Sequence, residues 1–121
     1  TAIGQLEASG CRREQLLVAL GPAVSGINYQ VERSTSEQLG AIDALQAAGA
    51  LLEDPQEGRD RLDIRRAAQW QLLQFGLKPE QISICPLCTV AEPELFHSWR
   101  RDQVKAVQWS GIVSQNAETP R

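Results

Sequence analysis

Leu16-Leu17-Val18-Ala19-Leu20 is a continuous apolar run closed by Gly21-Pro22. The run is too short for a stable helix, and a Gly-Pro pair stops either element, so it reads as a buried strand. Upstream, residues 1–9 read as the last turns of a helix, with Ile3 and Leu6 on one face and Gly10 as the stop. Downstream, residues 23–26 form a loop of small residues, and Asn28-Tyr29-Gln30-Val31 reads as a brief strand or turn. Ser34-Thr35-Ser36-Glu37 has the spacing of a capping box. Leu39, Ile42 and Leu45 follow at helical spacing, which predicts a helix of about three turns ending near Gly49.

Residues 53–60 are polar, contain Pro55 and Gly58, and read as a surface loop. Asp60 or Asp63 caps the next helix, whose apolar face is Ile64, Ala67, Ala68, Leu72 and Phe75. Gly76, with Pro79 soon after, stops it. Ile82-Ser83-Ile84 alternates as a strand does, and Val107-Gln108-Trp109-Ser110-Gly111-Ile112-Val113 reads as a final strand. Residues 115–121 read as a flexible polar tail, leaving residues 1–114 as part of a single domain. Helices and strands are interspersed and no internal repeat is present. The expected class is therefore α+β (mixed α/β), a mixed β-sheet flanked by helices. So few strands leave at least one sheet edge or face in need of a partner.

Composition narrows the function. Lys and Arg number 12 against 15 Asp and Glu, a net charge of −3, which disfavours a general binder of nucleic-acid backbones. No apolar run approaches the ~20 residues that cross a bilayer, and no stretch reads as a secretory signal, so no membrane partner is expected. Three cysteines are an odd number and too few for a disulfide scaffold, so reduced thiols and a cytoplasmic location are expected. The chain begins at Thr1 and contains no Met, which is expected of a trimmed product or an excerpt.

Cys85-Pro86-Leu87-Cys88 has the spacing of a redox dithiol or of half a zinc site. A redox pair needs a helix after its first cysteine, and no long helical pattern follows here. A zinc site needs two more ligands; Cys11 and His97 are available, at no recognised finger spacing. The third reading is a simply buried cysteine. His97 is the only histidine, so it is either a general base or a partly buried or surface side chain, and a multi-histidine centre is not built from this chain. Ser98-Trp99-Arg100-Arg101-Asp102 sets two guanidinium groups beside an indole. Paired Arg suits phosphate or carboxylate and Trp offers a stacking face, but in an extended segment only one Arg faces a given pocket. Cys11-Arg12-Arg13-Glu14 reads as a solvated loop. Nucleotide-binding glycine motifs, the nucleophile elbow and the H-E-x-x-H metal motif are missing.

Several stretches together resemble one family, the YfiH-type proteins, also known as laccase-domain or polyphenol oxidase proteins and later as purine nucleoside phosphorylases. They are Leu20-Gly21-Pro22-Ala23-Val24, Tyr29-Gln30-Val31, Leu62-Asp63-Ile64-Arg65-Arg66-Ala67-Ala68, Leu72-Leu73, Gly76-Leu77, Cys88-Thr89 and Phe96-His97-Ser98-Trp99-Arg100-Arg101-Asp102. They follow the family's order across most of residues 1–114. His97 and Trp99 stand where the family has Phe and Tyr. A Thr-Gly-Arg segment is replaced by Val104-Lys105-Ala106-Val107-Gln108-Trp109, while Trp109-Ser110-Gly111-Ile112 still matches the closing strand.

The resemblance implies a YfiH-like fold that is N-terminally truncated. It implies zinc held by two histidines and a cysteine in a half preceding Thr1, so that half is an expected partner and catalytic residues are expected upstream. Cys88 matches a Cys-Thr position that does not bind the metal. The implied activity is phosphorolysis of adenosine, inosine or guanosine, with adenosine deaminase and methylthioadenosine phosphorylase activities attached. Purine nucleoside and phosphate are then the small-molecule partners. Arg100, Arg101, Ser98 and Gly21 are the candidate substrate or phosphate contacts, and residues 21–26 allow close backbone approach to a ligand. No metal ligand is assigned to this chain. The older family name implies copper and phenol oxidation instead, but one His and no Met do not build a copper cluster. A non-catalytic nucleotide-binding domain is the reading outside enzymology.

Overall fold

The computed structural model describes residues 2–114. Thr1 and the expected tail at 115–121 lie outside the described residues. The chain opens with helix α1 (Ala2–Ala8), which ends as expected: Gly10 has φ +105° and the Cys11 amide donates back to the Leu6 carbonyl.

The apolar run forms strand β1 (Val18–Leu20), which pairs in parallel with β5 (Ile82–Ile84) in the register Val18↔Ile82. Everything between these strands is a crossover. It contains an antiparallel sheet of order β2-β4-β3, with β2 at Gln30–Glu32, β3 at Leu51–Glu53 and β4 at Arg59–Leu62. Two sheets, one parallel and one antiparallel, confirm the mixed class. The core lies on the antiparallel sheet, where Val31, Leu45, Ala50, Leu51 and Leu62 are buried and Tyr29, Ile42, Ala67 and Trp70 pack against them. Ala67 and Trp70 come from helix α4 (Ile64–Gln74), which Asp63 caps by accepting from the Arg66 amide at 3.0 Å.

Five sequence expectations are corrected. The strand β1 is not buried: its exposure alternates, and Leu17 beside it is 80% exposed. A parallel sheet is ordinarily covered on both faces, and this pair is only partly covered among the described residues, Val18, Leu20 and Ile82 being half-buried and Ala19, Ser83 and Ile84 exposed. The capping box does not form. Helix α2 (Arg33–Leu39) starts two residues early, with Glu32 at its N-cap position making no side-chain cap bond, and the buried Ser36 donates to Asp60 at 2.6 Å instead.

The three-turn helix is two helices. Gly40 (φ +65°) and Ala41 (φ +47°) break it, and α3 (Ile42–Ala47) resumes on a new axis that buries Leu45. The surface loop expected over 53–60 is formed by residues 54–58, but its ends belong to strands: Glu53 to β3, Arg59 and Asp60 to β4. Charges there are paired, Arg61 bonding Asp54 at 2.9 Å and Arg59 approaching Glu32 at 3.6 Å. The final strand is not formed. Residues 103–114 have no regular structure, and Val107, Trp109, Ile112 and Val113 are 79–92% exposed. A strand needs a ladder partner, and among the described residues none pairs with this segment.

Candidate functional site

The conspicuous side chains converge on the loop after β5. Cys85 continues the parallel pairing, its amide donating to Leu20 at 2.9 Å, and Cys88 bridges to Ala23. Arg65, in the first turn of α4, is 8% exposed and donates one nitrogen to the carbonyls of Cys85 and Leu87. From the other side comes α5 (Trp99–Asp102), a single helical turn rather than the extended segment expected. Ser98 caps it by accepting from the Arg101 amide at 3.2 Å and is itself buried.

The helical geometry separates the two arginines. Arg101 turns inward. Its Nη1 donates to Thr89 and Val90 at 2.9 and 3.2 Å, its Nη2 to Phe96 at 2.9 Å, and it forms a two-point pair with Asp102 at 2.7 and 2.9 Å. The Asp102 carboxyl lies below the usual range because Arg101 bonds it and because the charges of Arg101 and His97 favour its ionised form. Arg100 turns outward. Its guanidinium lies 4.6 Å from the centroid of the Tyr29 ring and donates to the Gln30 carbonyl at 3.2 Å. Trp99 is exposed beside it.

Gly21 borders this region, but a Cβ there meets nothing within 4 Å. The crowded glycine is Gly26, where a Cβ would stand 3.0 Å from that of Asp63 and 3.2 Å from Leu52. Close approach in the 21–26 loop is therefore to the protein itself. His97 is partly buried: its backbone exchanges two hydrogen bonds with the Gln108 side chain, and its Nε2 is buried with no hydrogen-bond partner among the described residues.

The cysteines are free. Among the described residues no group of three or more His, Cys, Asp or Glu is arranged to hold a metal. Cys11 and His97 do not complete a site with the Cys85–Cys88 pair, so this donor set fits neither zinc nor copper.

Two arginines were missed as anchors. Arg65 carries no local sequence signal for this role beyond its place in a helix's first turn, where a basic residue opposes the macrodipole. Arg13 was placed in a solvated loop, yet it bonds Glu7 and the Phe75 carbonyl, each at 2.6 Å, tying α1 to the end of α4.

Comparison with known proteins places this arrangement. The family described as "Multi-copper polyphenol oxidoreductase laccase" matches residues 1–115. A Synechocystis protein named "Purine nucleoside phosphorylase slr1573" is 39% identical over 93% of this chain and 48% of its own length. The Bacillus subtilis "Purine nucleoside phosphorylase YlmD" is 32% identical over 88% of this chain and 38% of its own. The crystal structure of Bacillus licheniformis hypothetical protein YfiH superposes with a TM-score of 0.69 at 27% identity, over 81% of this chain and 36% of that one. The structure of YlmD from Geobacillus stearothermophilus does so with a TM-score of 0.58 at 29% identity, over 70% and 31%. The chain thus spans at most about half the length of these relatives. No helix among the described residues is long and apolar enough to cross a membrane. On sequence and fold together, the chain belongs to the multi-copper polyphenol oxidoreductase laccase family.

Proposed function

We propose that this chain is the C-terminal half of a cytoplasmic purine nucleoside phosphorylase. The observation that carries the reading is the 39% identity, over 93% of the chain, to a protein bearing that name. In the reaction the bond between the purine nitrogen and ribose C1′ breaks, a bond from C1′ to a phosphate oxygen forms, and the base leaves with the bond's electron pair. Adenosine, inosine and guanosine are the proposed substrates, with deamination of adenosine and phosphorolysis of methylthioadenosine as side activities.

Arg100 is the residue of this chain proposed to meet phosphate. Among the described residues it donates to one backbone carbonyl and presents a guanidinium held by an aromatic ring, whereas the donors of Arg101 are engaged within the chain. Ser98 and Arg101 shape the turn that carries it, and Gly21 begins the neighbouring loop. Zinc in this reading is held by polypeptide outside residues 1–121, a reading supported by the donors among the described residues, which do not form a metal site. The partly exposed β1–β5 sheet supports that division. Leu6, Leu16, Leu17, Ile112 and Val113 line an open apolar groove beside it, where the other half of the family polypeptide is proposed to pack.

The test joins the upstream half of the Synechocystis relative to residue 1 and supplies zinc and adenosine. Release of adenine that depends on phosphate supports the proposal. Release without phosphate indicates hydrolysis, and inosine as the sole product indicates deamination.

A further inference from the structure

The arginines differ in what neutralises them. Every other exposed or half-buried arginine among the described residues has a carboxylate oxygen at 2.6–3.9 Å. Arg65 is buried and spends its charge on the Cys85 and Leu87 carbonyls. Arg100 is exposed and has no carboxylate partner among the described residues.

Two successive residues hold it instead. The Tyr29 ring lies under the guanidinium, 4.6 Å from centroid to carbon, and the Gln30 carbonyl accepts from Nη1 at 3.2 Å. Both holds are rigid. The ring is half-buried and packs against the core of Val31, Leu45, Ala50, Leu51 and Leu62. The Tyr29 carbonyl accepts the Leu62 amide across the sheet at 3.0 Å. Carbonyls alternate in direction along an extended strand, so that of Gln30 points off the open edge of β2, the outer strand in the order β2-β4-β3. Arg100 meets it there.

The neighbouring arginine shows what this arrangement leaves free. Arg101 spends Nε and Nη2, the edge of the guanidinium that spans two oxygens, on the Asp102 carboxylate at 2.9 and 2.7 Å. In Arg100 the bond to Gln30 uses Nη1, and Nε and Nη2 have no hydrogen-bond partner among the described residues. A ring face attracts the cation without occupying its in-plane donors, whereas a carboxylate would fill the fork that an oxyanion needs.

We infer that Tyr29 is a positioning residue for the phosphate contact: its ring, with the edge carbonyl of Gln30, holds the Arg100 guanidinium so that the Nε–Nη2 edge is ordered before the oxyanion arrives. The inference rests on the phosphorylase reading above, in which Arg100 meets phosphate. A side chain already ordered in its bound geometry loses less freedom on binding, so the ring acts on phosphate affinity and not on the bond that breaks.

The experiment uses the joined polypeptide with zinc, adenosine and varied phosphate. Tyr29→Leu should raise KM for phosphate about threefold, with smaller changes in kcat and in KM for adenosine. Tyr29→Phe, which restores the ring face, should recover the lower KM. Added to Arg100→Ala, Tyr29→Leu should change KM for phosphate no further, because the group it orients is gone. Circular dichroism confirms the fold of each variant. Should Tyr29→Leu fail to fold, pentafluorophenylalanine at position 29 carries the decision: it keeps a ring but removes its negative face, so it should raise KM for phosphate, and the parent's value overturns the inference. A folded, zinc-loaded parent that releases no adenine overturns the phosphorylase reading and this inference with it. An active parent whose Tyr29→Leu variant keeps its KM for phosphate, or whose KM rises as much again in the Arg100→Ala background, overturns this inference alone.

Discussion

The guanidinium of Arg100 lies over the ring of Tyr29, 4.6 Å from its centroid. Tyr29 precedes β2, and its carbonyl accepts from Leu62 at 3.0 Å at the end of β4. The contact therefore joins α5, from the loop region, to the antiparallel sheet that carries the core. A cation–π contact at an exposed site contributes about 0.5–1 kcal/mol, enough to orient a side chain without burying its charge.

Arg100→Ala, placed in the joined polypeptide described above, should raise KM for phosphate with a smaller change in kcat. Arg100→Lys should recover part of the loss, since it keeps the charge but not the fork. Steady-state kinetics at varied phosphate check this, and unchanged parameters in both variants remove Arg100 from the phosphate site.

Arg65→Met keeps much of the side-chain volume but removes the donors to Cys85 and Leu87. Hydrogen bonds from a charged donor contribute about 1.5–3 kcal/mol each, and relief of the buried charge offsets part of this. The expected net loss is about 2 kcal/mol by urea unfolding, with the loop after β5 losing amide-exchange protection first. A loss confined to distant segments would contradict the anchoring role.

Much of the secondary structure was legible because its signals are local. The ends of α4 follow from Asp63 and from Gly76 at φ +92°, and the end of α1 from Gly10. What escaped depends on partners distant in sequence. The β3–β4 hairpin carries Asp54, Asp60 and Arg61, whose charges look solvated until Gln30, Ser36 and each other are brought near. Val107 to Val113 has strand composition but no ladder to join. Ser98 and the two arginines were recognised as a group, yet treating them as extended concealed that adjacent helical positions point about 100° apart. That angle sends Arg100 to Tyr29 and Arg101 into the loop. Cys88 was weighed for metal and redox roles, and the bonds its sulfur accepts from the Ser25 amide and Asn28 were hidden because both lie far upstream.

Ala41 holds a left-handed conformation, φ +47° and ψ +38°, which an L-residue adopts at a cost of roughly 1–2 kcal/mol. Ala41→Gly should relieve that cost, less about 0.5–1 kcal/mol for the added freedom of the unfolded chain. A gain of up to about 1 kcal/mol in thermal or urea unfolding is expected, and a clear loss would contradict the break between α2 and α3.

The Asp54 carboxyl lies below its ordinary value. The Gln56 amide bonds it most strongly; burial opposes this, and bonds from Gln30 and Arg61 with the Arg61 charge add to the lowering. A carboxylate lowered in the folded state stabilises fully above its unfolded pKa, and the contribution is lost as pH falls through the folded value. Asp54→Asn should therefore be less stable than the parent at pH near 7. The gap should narrow as pH falls below the ordinary value of 3.8. A gap that stays constant into strong acid would contradict this account.

The central claim is that these residues supply the walls and a phosphate contact of an enzyme whose reactive centre lies in other polypeptide. Its most direct test compares the chain alone with the chain joined to the upstream half of the Synechocystis relative, both given zinc, adenosine and phosphate. The account predicts adenine and ribose 1-phosphate from the joined protein and neither from the chain alone. Turnover by the isolated chain, or none by a folded, zinc-loaded joined protein, would contradict it.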